Sequence, residues 1–177
     1  GRRIISDKWR IETEELPHPE YHSVRHTIVT PAGNLSMVMQ GNDYTTWASE
    51  ILVKQKSDLD IIAAHQTMPL CDVEAVNEEA KEYGERGFIR GTVICFDIFG
   101  QPGCWQDFCC LRGTQQAIMD TYDDPGWVHE FLKVLLERKR VYVRSMKGAA
   151  YDLIELGGGD ASTTVISPAL FREFVAP

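Results

Sequence analysis

The chain has 177 residues, 44% of them hydrophobic and 25% charged, with a formal net charge of −8. That length allows one ordinary domain with a real core, and the composition is normal for a globular protein. The acidic balance argues against nucleic acid and anionic membrane as partners, because both need a basic face, and no apolar run is long enough for a transmembrane helix.

No charged-then-apolar leader opens the chain, and Gly1 followed by Arg2-Arg3 reads as an interior piece of a longer protein. The first third reads as a β-meander. "GRRIISDKWRIET" holds one strand. "HSVRHTIVT" alternates, with Val24, His26 and Ile28 on one face and Arg25, Thr27 and Val29 on the other. Pro31 to Asn34 is turn chemistry, and "LSMVMQ" returns as the partner. "GND" at 41–43 is a second turn, before a third strand in "YTTWASEILVK".

After Lys56 the character changes. Ser57 reads as an N-cap, with Asp60 three residues on as a capping box. Val73, Val76, Ala80 and Tyr83 have helical spacing behind Asp72 as N-cap, with Gly84 or Gly87 ending that helix. "FIRGTVICFDIFG" is an apolar strand of the kind that parallel sheets bury on both faces. "GQPGCWQDFCCLRG" is a loop or short helix, and "TQQAIMDTY" is helical. In "DDPGWVHEFLKVLLERKRVYVRSMKGAA" Asp124 caps, Pro125 sits at N1, and Val128, Phe131, Leu132, Leu135, Tyr142 and Met146 make an apolar stripe. The charges at 137–140 read as a solvated patch. "YDLIEL" is a further short strand. The expected organisation is a meander over 1–56 and βα units over 57–177.

In βα folds ligands bind at the C-terminal ends of strands, and two acid-glycine clusters fall there. The first is "CFDIFGQPGCWQDF". Its Asp97 either takes part in proton transfer at a site or bonds to backbone amides of its own loop. Trp105 and Phe108 either wall a ligand or belong to the core. The second is "IELGGGDAS". Glu155 lies in the strand, Gly157–Gly159 let backbone approach a ligand closely, and Asp160 follows; a flexible capped loop is the alternative.

The five cysteines, Cys71, Cys95, Cys104, Cys109 and Cys110, are odd in number and irregularly spaced. A disulfide framework is not expected, and a reducing cytoplasm fits. Cys104 and Cys109-Cys110 are either thiolate ligands or small buried hydrophobes. His18, His22 and His26 have i,i+4 spacing, but Pro17, Pro19 and the β-branched residues after His26 argue against a helix there, which removes its meaning for a metal.

"FIRGTVICFDIFGQPGCWQDFCCLRG", the "DDPGWV" helix start and "AAYDLIELGGGDASTTVISPALFREFVAP" resemble the uroporphyrinogen decarboxylase family, over roughly residues 57–177. That family contains decarboxylases of haem biosynthesis and cobalamin-dependent methyltransferases. The most specific piece is "ISP" followed by Phe171, Glu173, Phe174 and Pro177. The resemblance implies a (β/α)8 TIM barrel with its site at the C-terminal mouth. Such a barrel takes about 250 residues, so this chain is expected to be a partial one with an N-terminal meander. The decarboxylases' arginine-rich motif has no counterpart here. Where they carry a Pro-Trp-Thr loop with a catalytic tyrosine, this chain has Pro102-Gly103-Cys104-Trp105. The methyltransferase branch is therefore the closer one.

The resemblance implies an enzyme in which Asp97, Glu155 and Asp160 are catalytic and Trp105, Phe108, Gly158 and Gly159 bind a small-molecule substrate. It implies zinc held by ligands outside this chain, and a corrinoid brought by a partner protein. Decarboxylation of uroporphyrinogen is the alternative activity, and a non-catalytic module binding a ligand or a corrinoid protein is the second alternative. The segment alone is expected to be unstable or to self-associate, since open sheet edges and apolar faces would be exposed.

Overall fold

The computed structural model describes residues 6–177, so the first residues of the first expected strand lie outside it. Four antiparallel strands come first: β1 (Arg10–Leu16), β2 (His22–Thr30), β3 (Gly33–Gly41) and β4 (Thr46–Glu50), paired in chain order. The β2–β3 hairpin closes on Pro31 and Ala32, with Thr30 opposite Gly33. Thr30 Oγ1 donates to the Gly33 carbonyl at 2.6 Å and accepts from the Ala32 amide at 3.2 Å. The alternation read from the sequence gives Ile28, Leu35 and Met37 to the core.

The helices follow: α1 (Asp58–His65), α2 (Val73–Tyr83), α3 (Cys104–Arg112), α4 (Thr114–Asp123) and α5 (Pro125–Ser145). Asp72 caps α2 by accepting from the Ala75 amide, and Asp124 caps α5 by accepting from the Trp127 amide. At α1 the expected capping box does not form. Ser57 makes no side-chain cap, and the Asp58 carboxylate instead accepts from the amides of Lys54 and Gln55 at 2.8 and 3.0 Å.

Strands β5 (Arg90–Thr92) and β6 (Leu153–Glu155) pair in parallel, joined by a crossover containing α3, α4 and α5. The long apolar strand expected over 88–100 is thus only three residues of ladder. Beyond Thr92 the Val93 amide still donates to the Glu155 carbonyl at 3.2 Å, but the amides of Phe96 and Gln101 go to a buried carboxylate, that of Asp107, and not to a strand. A mixed α/β fold results, and no closed barrel forms among the described residues. After β6 a short helix α6 (Pro168–Leu170), capped by Ser167, runs into a π-helical turn, Phe171–Val175.

One core joins the meander to the helices. Trp9, Ile28 and Met37 belong to the same buried cluster as Phe108, Phe131 and Leu135. Rings of Phe108, Trp127 and Phe131 pack edge to face with centroids 5.0 to 6.1 Å apart. Polar bonds cross the same boundary. Arg112, buried at the end of α3, pairs with Asp120 at 2.7 Å and donates to the carbonyls of Val53 and Lys54 at 3.0 and 2.9 Å. No helix among the described residues is long and apolar enough to cross a membrane.

Candidate functional site

Parallel pairing puts the C-terminal ends of β5 and β6 side by side, so the loops that follow them must share space. They meet backbone to backbone. A methyl group on Gly103 would overlap the Gly157 carbonyl oxygen, and one on Gly157 would lie 2.9 Å from Gln106 Oε1 and 3.0 Å from Pro102 Cδ. Glycine at 103 and 157 is therefore what allows the contact. Gln106 Oε1 accepts from the Gly159 amide at 3.2 Å, and Trp105 Nε1 donates to the Asp160 carbonyl at 3.1 Å. The two acid-glycine segments of the sequence are thereby tied into one wall.

That wall borders a cavity of about 760 Å³ between α3, α5 and the π-helical turn. Trp105, Leu132, Leu136, Leu156 and Phe174 give it an apolar lining, and Lys133, Arg140 and Arg144 of α5 add cations. His129, stacked on Phe174 with centroids 4.7 Å apart, stands 3.6 Å from Glu173 at the rim.

Of the residues expected at the site, Trp105 and Gly158 line the cavity. Gly158 has no atom within 4 Å of where a side chain would begin, so its backbone is open to an approaching group. Gly159 is held by Gln106. Asp160 is half-buried, and burial pushes its carboxyl above the usual carboxylate range. Glu155 faces Arg90, with 3.4 Å between charged atoms. Phe108 is 0% exposed beneath Trp105, in the core. Asp97 looks the other way: its Oδ2 accepts from Trp9 Nε1 and Gln66 Nε2, each at 3.0 Å, and it is not among the cavity's lining residues.

The sequence reading missed Asp107, Lys139 and Gln106. The run at 137–140 is not a solvated patch, since Arg138 and Lys139 are both buried. Their positions carried the signal: Lys139 lies four residues after Leu135 and three before Tyr142, on the apolar stripe itself. Arg138 donates to the Thr67 carbonyl at 3.2 Å and stands over the Phe96 ring.

Burial raises the thiols of Cys95, Cys104 and Cys109, and pushes Cys110 up to about 12. Such thiols are poor thiolate ligands at neutral pH. No three His, Cys, Asp or Glu side chains among the described residues converge to hold a metal. His22 and His26 stand on strand β2, so the three spaced histidines share no helix face. Comparison of the chain with known protein families, with curated proteins and with solved structures finds no match.

Proposed function

We propose that this chain is part of an enzyme of the uroporphyrinogen decarboxylase family, of the methyltransferase type, built as an incomplete (β/α)8 barrel. The observation that carries the reading is the cavity at the joined C-terminal ends of β5 and β6, where parallel α/β sheets bind ligands. The edge of β6 that no described strand pairs with supports the incomplete barrel. Leu153 and Ile154 on β6 are 47% and 45% exposed, and Leu156 just after it is 71% exposed, in a segment apolar enough to be covered on both faces.

In this reading the substrate lies against Trp105 and the open backbone of Gly158. Asp160, its carboxyl raised by burial, holds or passes a proton. Glu155, beside Arg90, keeps the charge of the strand end fixed. Asp97 serves as a tie between the loop after β5, Trp9 and Gln66. The thiol-activating zinc and the corrinoid's methyl group belong to parts outside residues 6–177.

A second reading, decarboxylation of a porphyrinogen, is favoured by one observation. Lys133, Arg140 and Arg144 line the same cavity and suit an anionic substrate. The whole protein carrying this segment separates the two. It is assayed for methyl transfer from methylcobalamin to a thiol and for carbon dioxide release from uroporphyrinogen. Methyl transfer alone supports the first reading, carbon dioxide release alone moves the assignment to the second, and neither activity rejects both.

A further inference from the structure

The loop between β5 and α3 is folded around a carboxylate that arrives from the helix after it. Asp107 Oδ1 accepts from the amides of Gln101 at 2.7 Å and Phe96 at 3.3 Å. Its Oδ2 accepts from Lys139 Nζ at 2.6 Å. The same ammonium donates to the carbonyls of Ile94 at 2.6 Å and Gln101 at 3.3 Å. Two donors and two acceptors of one loop thus end on a single ion pair whose members are 1% and 5% exposed. Gly100 completes the fit, because a methyl group there would overlap Asp107 Oδ1. The loop leads directly into Gly103, and Val93, Gly103 and Lys139 all line the cavity.

Burial pushes the Asp107 carboxyl up, and Lys139 with the two amides opposes it. A buried pair of this kind adds little stability over well-packed apolar residues of the same volume. What it adds is one defined arrangement of the groups that satisfy it. We infer that Asp107 and Lys139 are positioning residues that set the shape of the loop at 94–103, the β5 side of the cavity, before any ligand arrives. The functional consequence rests on the cavity being the ligand site proposed above; the positioning itself does not.

The test replaces the pair by apolar residues, Asp107→Leu with Lys139→Met, and follows backbone amide exchange without ligand. The Phe96 and Gln101 amides should exchange about 100-fold faster, while β2, β3 and α5 keep their protection and the protein still melts cooperatively. Asp107→Asn retains a carbonyl oxygen for both amides but turns a donor NH2 toward the Lys139 ammonium, which loses its partner, so their protection should still fall below the parent's. Unchanged protection in the double variant overturns the inference. So does an equal rise throughout the chain, or a double variant that cannot fold, because the pair would then support the whole domain. A loosened loop in a protein without either activity above rejects the functional reading alone; a rigid loop in an active protein rejects this inference alone.

Discussion

The two sheets of this molecule are built on opposite terms. The meander is local: every strand from β1 to β4 pairs with its neighbour in sequence, and Ile28, Leu35 and Met37 on its inner face are buried. The β5–β6 pair is short and parallel, exposes apolar side chains, and carries the candidate site at one end. The contrast separates two roles: the locally paired sheet stabilises, and the parallel pair positions loops.

The largest effect should come from what the two regions share. Phe108→Ala removes the ring at the centre of the common core and should cost about 3–5 kcal/mol of stability. Urea unfolding followed by fluorescence and by circular dichroism should still coincide. A meander that survives after the helices unfold would break the picture of a single core.

Gly103→Ala should come next. It pushes a methyl group into the Gly157 carbonyl, and overpacking of this kind costs about 1–3 kcal/mol. Gly158→Ala meets nothing and should stay within about 0.5 kcal/mol of the parent. Equal losses at the two positions would mean that the loops do not meet as described.

Leu153→Ser sharpens the comparison from the other side. This side chain is exposed, so the change should leave stability within about 0.5 kcal/mol, unlike any polar substitution at Ile28. Sedimentation of the parent and variant should show less self-association after the change. A large loss of stability in the monomer would show that β6 is already covered.

The smallest effects concern pH, and their signs differ between the regions. Asp124 is held below the usual carboxylate range by its bond from Lys56 and by the Trp127 amide. Its contribution is therefore present above the unfolded value and lost as pH falls through the folded one, below about pH 4. Asp160 is raised by burial, so its contribution is full at low pH and lost as pH rises through its folded value. Melting curves of Lys56→Met should show a weaker acid loss than the parent. Those of Asp160→Asn should show a smaller decline from acid to neutral pH.

What was legible in the sequence follows the same division. The hairpin over Pro31 and Ala32 was readable because partner residues are close in sequence and alternate cleanly. The caps Asp72 and Asp124 were readable because they act within three residues. The β5–β6 pair was only half readable, since β5 finds its partner beyond three helices. The strand expected over 88–100 was overstated because no local pattern shows that Asp107 draws the Phe96 and Gln101 amides out of the ladder. Lys139 was misread because its charge outweighed its place on the stripe. Within "GGG", close packing requires glycine at Gly157, while Gly158 is simply open.

The most direct test of the account is turnover of Asp160→Asn in the whole protein, set beside its melting temperature. The account predicts a loss of at least about 100-fold in turnover, the scale of a missing proton-transfer group, with melting at neutral pH unchanged or slightly raised. Full activity with the same melting temperature would contradict it.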